Sequence, residues 1–335
     1  GFDEYFGVES ASSPPYCFIE QNRTVGIPSD YLPKHYIDVP HMAGRQGPAL
    51  DGWSLEAILP TIRDRAVTFI ERESKKPNPF FVYMPLTSPH TPIAVNEQWK
   101  GKSGLGDYAD LVMETDGVVG DVLNALDKSG VADNTLVIFT SDNGCAKYIG
   151  VDELEKKGHY PSGPLRDYKA RIYEGGHRVP FIVRWPGTVK PGSVCEQMVQ
   201  QTDYMATFAA MFGTTLPPDA GLDSFNILPL LRGGTSSVRP HGINHAMNGI
   251  SLRYGDWKYI TPYKRGNPAQ LYNIADDLGE TKNLAAEMPE RVEQMEQLLK
   301  ELVDNGRSTP GPKQENDTTL SRWTGNIQGL APAKN

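Results

Sequence analysis

The chain has 335 residues, about two domains at ~150 residues each. Hydrophobic residues make up 39% and charged residues 22%, which excludes wholesale disorder, and the 33 glycines and 27 prolines follow no collagen-like period. A formal net charge of −8 with no lysine-rich block argues against nucleic acid as a partner.

The longest apolar run, residues 80–86, is far short of the ~20 residues a membrane-spanning helix needs, so no membrane span is expected. Three cysteines, Cys17, Cys145 and Cys195, cannot all pair within one chain, and none has metal-ligand spacing. A disulfide scaffold is therefore excluded. The chain opens Gly1-Phe2-Asp3, with no initiator methionine and no signal-peptide pattern, which leads us to expect a segment upstream.

In chain order, Leu55, Ile58, Leu59, Ile62, Ala66, Phe69 and Ile70 predict a helix over about 54–74 with Ser54 as its cap. Pro60 inside this pattern calls for a kink or a later start. Residues 80–86 follow a Pro-Asn-Pro turn and have the length of a buried strand. A second helix is predicted over about 107–128, then buried strands at 135–140 and 179–185, then a short helix at about 203–213.

The pattern changes near residue 235. Runs at 243–247, 250–254 and 257–260, separated by Asn-Gly and Gly-Asp turns, predict an antiparallel meander. An amphipathic helix over about 288–303 follows, and the polar residues after 306 read as an extended tail. The expected fold is α/β: a mixed sheet flanked by helices, with its strands buried on both faces, then a smaller C-terminal antiparallel sheet with one helix. The expected divisions are 1–235, 236–306 and 307–335.

Three segments could carry chemistry. Ser141-Asp142-Asn143-Gly144 follows a predicted strand, where ligands of α/β sheets bind, and a carboxylate beside an amide oxygen suits a hard cation. The same letters also make an ordinary Asn-Gly turn. His90 lies in the proline-framed loop Ser88-Pro89-His90-Thr91-Pro92, as an acid or base or as a surface residue. Between Arg166 and Arg178, several cations near Gly175 and Gly176 could hold an oxyanion, or form a solvated loop with Glu174 and Arg178 paired. Asn22-Arg23-Thr24 and Asn316-Asp317-Thr318 match glycosylation sequons, which arise often by chance.

Taken together and in order, these segments resemble the type I sulfatase family of the alkaline-phosphatase-like superfamily. The resemblance runs from Gly1 to about Ala285. It includes Lys76-Pro77-Asn78-Pro79-Phe80-Phe81, the His90 loop, the strand ending in Ser141-Asp142-Asn143-Gly144, and residues 165–180. Arg184-Trp185-Pro186-Gly187, Pro229-Leu230-Leu231-Arg232-Gly233, Arg253-Tyr254-Gly255-Asp256-Trp257-Lys258 and Leu271-Tyr272-Asn273 continue it.

The resemblance implies that Asp142 and Asn143 bind a divalent cation, usually Ca²⁺. It implies that Lys169 contacts sulfate oxygens and that His90 stands at the leaving-group oxygen or anchors the sulfate. His245 and Asn248 are further candidates for substrate contact, while Glu174, Arg178 and Trp257 read as structural. The family's formylglycine, made from Cys or Ser in a Cys/Ser-x-Pro-x-Arg motif, is expected upstream of this segment. Ser162-Gly163-Pro164-Leu165-Arg166 fits that pattern by letter only, and Asp167 stands where the family often has glycine.

The implied function is sulfate-ester hydrolysis on a sulfated carbohydrate, outside the cytoplasm, with the segment itself inactive alone. Rival readings are a phosphodiester or phosphonate hydrolase of the same superfamily and a non-catalytic sugar- or anion-binding fragment. Because the predicted strands need neighbours in the sheet, self-association or association with the missing N-terminal segment is expected as well.

Overall fold

The computed structural model describes residues 1–37, 44–262 and 267–316. The chain divides into two compact units, one formed by residues 1–135 with 147–159, the other by 136–146 with the chain from Tyr160 onward. The α/β class expected from the sequence is the class observed.

In the first unit, the helices Ile58–Glu73 and Asp107–Lys128 pack on each other. The first begins at Ile58 rather than at Ser54, so Pro60 falls in its first turn, where a missing N–H costs no helical bond. Ser54 instead donates its hydroxyl to Glu56 Oε2 at 2.8 Å. Asp110, in the first turn of the second helix, accepts from Gly101 N at 2.7 Å and Ser103 N at 2.8 Å, and so ties the preceding loop to the helix. Tyr16, Leu32, Tyr36, Trp53, Leu55 and Ile58 form a core beneath short antiparallel ladders.

Residues 80–86 depart from expectation. They form no strand, and Phe81 and Tyr83 are 62% and 68% exposed. Their apolar run has the composition of a strand covered on both faces, but in this unit alternate side chains meet solvent instead.

In the second unit, strand Val137–Thr140 pairs antiparallel with Phe181–Arg184 as a two-stranded ladder. Here too one face is open: Ile182 is 60% exposed, because two strands cannot cover the apolar face that the sequence provides. The meander forms as expected and gains a fourth strand. Its order is Gln270–Asn273, Trp257–Ile260, Gly249–Tyr254, His241–Ala246, all antiparallel. Leu252, Tyr259 and Leu271 lie opposite one another across three strands, and helix Pro289–Asp304 lays Met295 and Leu299 over them. Proline at the first helical position suits that helix start.

Arg239 and Asp203 form a fully buried pair, with Arg239 Nε donating to Asp203 Oδ2 at 2.9 Å and Nη2 to the Asp223 carbonyl at 2.6 Å. A pair this deep is tolerable because its remaining donors and acceptors are also satisfied. Among the described residues no helix is long and apolar enough to cross a membrane. Most of the expected 307–335 tail, and the Asp317-Thr318 part of its sequon, lie outside the described residues.

Candidate functional site

The loop Ser141-Asp142-Asn143-Gly144 leaves the end of strand Val137–Thr140. Thr140 Oγ1 donates to the Pro180 carbonyl at 2.9 Å, fastening this strand end to the neighbouring strand's entry. Asp142 Oδ1 accepts from Asn143 N at 2.9 Å, and Asn143 Nδ2 donates to the Gly144 carbonyl at 3.0 Å. Both side chains are thus oriented by their own backbone, and Asn143 Oδ1 is left as an acceptor. The turn reading and the ligand reading therefore describe one local geometry.

Residues 166–175 make the second element. Gly175 N donates to the Arg166 carbonyl at 2.8 Å, which closes the loop, while Asp167 and Ala170 adopt φ of 66° and 70°. Asp167 tolerates the left-handed backbone as a short polar residue whose Oδ1 bonds locally, accepting from Tyr168 N at 3.1 Å. The two glycines allow the close approach expected of them. A Cβ on Gly175 would meet the Asp167 carbonyl oxygen at 2.1 Å, and one on Gly176 would meet that of Arg171 at 2.1 Å.

These two elements are stitched together. Lys169 N donates to the Cys145 carbonyl at 2.8 Å, and Gly144 N donates to the Gly176 carbonyl at 3.1 Å. Lys169 is half-buried, and among the described residues its ammonium has no ion-pair partner. The hairpin tip of the C-terminal sheet joins the same loop. Asn248 Oδ1 accepts from Ile172 N at 2.8 Å, and Met247 N donates to the Ala170 carbonyl at 3.2 Å. One acceptor of Asn248 is therefore spent on structure. His245 lies opposite Ile250 in that hairpin and is exposed.

Behind the loop lies a buried ionic cluster that the sequence showed only in part. Glu174 meets Arg178 at 3.4 Å, as its structural reading required, but its nearer partner is Lys258 at 2.9 Å. Lys258 also faces Glu280 Oε1 at 2.9 Å, without the alignment of a hydrogen bond. Burial alone would raise the Glu174 carboxyl, yet Lys258, with His177 and Arg253, outweighs it and holds the group below its usual value. Burial raises Glu280, and Lys258 offsets this only in part. Burial, reinforced by Lys258, pushes His177 down to about 4, so it is neutral at pH 7. Neither Lys258 nor Glu280 was legible as a partner of this loop, since each lies about a hundred residues from the part it touches.

His90 belongs to the first unit. Its Nδ1 lies 2.5 Å from the Thr91 carbonyl, so that nitrogen carries the proton and Nε2 is left for other chemistry. A cavity of about 20 Å³, room for one water, lies beside it between Ser88, Ala94 and Leu111.

Asp142 and Asn143 are hard oxygen donors at a strand end and fit Ca²⁺ as two of its ligands. Among the described residues no group of three His, Cys, Asp or Glu side chains converges as a complete metal site. The letter match at 162–166 has other work: Arg166 donates to the Glu280 carbonyl at 2.7 Å and lies 3.7 Å over the Tyr173 ring.

The sulfatase family model matches residues 1–214, and a model of the N-sulphoglucosamine sulphohydrolase C-terminal region matches 166–308. The chain belongs to the sulfatase family. An N-acetylgalactosamine-6-O-sulfatase of Bacteroides thetaiotaomicron is 36% identical over 264 residues, covering 74% of this chain and 51% of its own length. The human N-acetylgalactosamine-6-sulfatase is 34% identical over 245 residues, covering 72% of this chain and 44% of its own. The sulfatase chain thus spans about half the length of the curated relatives it matches. A solved structure from work on glycosaminoglycan metabolism by Bacteroides thetaiotaomicron aligns with a TM-score of 0.80 at 29% identity, over 90% of this chain and 72% of its own. All the loops described above fall within these matched regions.

Proposed function

We propose that the protein hydrolyses sulfate esters on a carbohydrate, with Asp142 and Asn143 as cation ligands and Lys169 as the sulfate-binding cation. The observation that carries the reading is the bond from Lys169 N to the Cys145 carbonyl, at 2.8 Å, within a sulfatase-family chain. It joins the loop of two hard oxygen donors to the loop of an ammonium with no ion-pair partner among the described residues.

Bound Ca²⁺ supplies positive charge toward a sulfate oxygen, and formylglycine, expected outside this chain, supplies the nucleophile. The residues of this chain do the rest. Lys169 neutralises the charge that builds on the sulfate oxygens as sulfur is attacked. His90, protonated at Nε2, donates that proton to the departing alcohol oxygen, while the Thr91 carbonyl keeps Nδ1–H in place. His245 and Asn248 contact the remainder of the substrate, with Asn248 held by Ile172.

The relatives' names make 6-sulfated N-acetylgalactosamine the first substrate to try. An extracytoplasmic location, where such glycans are met, goes with this reading. The test is sulfate release by the native protein from that sugar, its 4-sulfated isomer and an aryl phosphodiester. Release from a sulfated sugar that falls at least a hundredfold in Lys169→Ala is expected. Turnover of the phosphodiester alone would overturn the proposal.

A further inference from the structure

Glu280 sits in a backbone conformation that non-glycine residues rarely adopt, with φ of 51°, and its side chain is wholly buried. Both features cost free energy, so both call for a return. Its contacts show where the return comes from. Glu280 Oε2 accepts from Glu174 N at 2.6 Å, and its own carbonyl accepts from Arg166 Nη1 at 2.7 Å. Arg166 and Glu174 stand at the two ends of the loop that carries Lys169. One residue therefore grips both ends, while Gly175 N closes the same loop on the Arg166 carbonyl.

The grip is reinforced from the C-terminal sheet. Lys258, fully buried in strand Trp257–Ile260, places its ammonium 2.9 Å from both Glu174 Oε1 and Glu280 Oε1. Gly175 and Gly176, directly after Glu174, meet Gly144, next to Asn143. Any shift of residues 166–175 thus moves Lys169 relative to the Asp142–Asn143 loop.

We infer that Glu280 is a positioning residue for sulfate-ester hydrolysis: by clamping both ends of the 166–175 loop it sets where the Lys169 ammonium stands relative to Asp142 and Asn143. The inference rests on the functional reading above, which gives Lys169 its role. Glu280 touches no substrate and acts through Lys169.

The substitutions Glu280→Gln and Glu280→Ala separate the side-chain contacts at the Glu174 end and with Lys258, while both keep the backbone carbonyl that holds Arg166. Glutamine keeps an oxygen for Glu174 N but loses the charge facing Lys258, whereas alanine loses both. Leu299→Ala, which opens the helix–sheet core instead, serves as a control matched for lost stability. In the native protein, the expected result is a graded fall in kcat, about tenfold for glutamine and a hundredfold for alanine. KM for a sulfated sugar should change less than kcat. Hydrogen exchange should speed up selectively at amides 166–175. Leu299→Ala should lower the melting temperature comparably while keeping kcat within twofold.

If Glu280→Ala keeps kcat within twofold, or if exchange rises no more in 166–175 than elsewhere, the inference is overturned. Were the wild type to release no sulfate, the functional reading would fail, and the exchange arm would still decide whether the clamp exists.

Discussion

A Cβ placed on Gly144 would lie 1.9 Å from the carbonyl oxygen of Gly175, so the two glycines pass backbone to backbone where the Asp142–Asn143 loop meets the Lys169 loop. No flexible side chain is available there to give way. Gly144→Ala must therefore push the loops apart by an ångström or more. Misplacement of that size costs about a hundredfold in rate, and overpacking costs about 1–3 kcal/mol of stability. Gly120→Ala is the matched control. It lies within helix Asp107–Lys128 with nothing within 4 Å of its Cβ, and alanine there should stabilise by about 0.5–1 kcal/mol with kcat unchanged. Calorimetric melting and sulfate release on the two variants check both halves; wild-type kcat in Gly144→Ala would show that the spacing of the loops is not under tight control.

The buried cluster gives a pH signature. His177 has its folded pKa lowered to about 4 from an ordinary 6.5, by burial first and by Lys258 second. Protonation thus favours the unfolded chain. The contribution is fully present above pH 6.5 and is lost as pH falls from about 6.5 toward 4, at up to about 1.4 kcal/mol per pH unit. His177→Gln removes this slope and leaves the carboxylates of Glu174 and Glu280 in place. Urea unfolding at pH 7.5 and 4.5 should show wild type losing about 2–3 kcal/mol more than the variant across that window. Equal losses would mean that the imidazole is not held neutral by its surroundings.

How much of this was legible in the sequence follows from the range of the forces involved. Helix Asp107–Lys128 was readable because its stripe repeats locally, and the meander was readable because its turns are spelled out between strands. Asp142, Asn143 and Lys169 could be singled out as candidates because strand-end position and family resemblance point to single residues. Glu280 and Lys258 were not, because burial of an ion pair leaves no periodic trace and joins positions distant in sequence. Residues 80–86 misled for the opposite reason. Their apolar run states what a strand would need on both faces, but not which segment provides it.

Calcium binding can be predicted from the donor count. Asp142 and Asn143 offer two hard oxygens, and among the described residues no three acidic, histidine or cysteine side chains are grouped so that they could hold a metal ion. Calcium takes 6–8 oxygen ligands, so the 335-residue polypeptide by itself should bind it no tighter than about 10⁻⁴–10⁻³ M. Asp142→Asn should abolish even that, because it removes the only charge in the pair. Isothermal titration of both polypeptides decides the matter; micromolar affinity, or affinity that survives the substitution, would place the calcium ligands elsewhere in the chain.

The exposed apolar side chains lead to the last prediction. In the first unit Phe2 stacks on Phe81 at 5.8 Å and on Tyr83 at 6.4 Å, and all three are more than 60% exposed. In the second, Ile182 stands out of a ladder that has two strands among the described residues, with no further strand of those residues paired to its outer edges. Clustered aromatics and open edges are what soluble monomers avoid, since each removes water at low cost when a second surface arrives. The 335-residue polypeptide should therefore self-associate, or take up a companion segment that covers these faces. Light scattering from micromolar upward should show mass rising with concentration, together with strong binding of an apolar dye. Phe81→Ser combined with Tyr83→Ser should lower both signals, and Ile182→Lys should lower them independently through the other unit. A clean monomer at high concentration with little dye bound would count against association. In that case the aromatic stack of Phe2, Phe81 and Tyr83 would be a self-sufficient surface cluster.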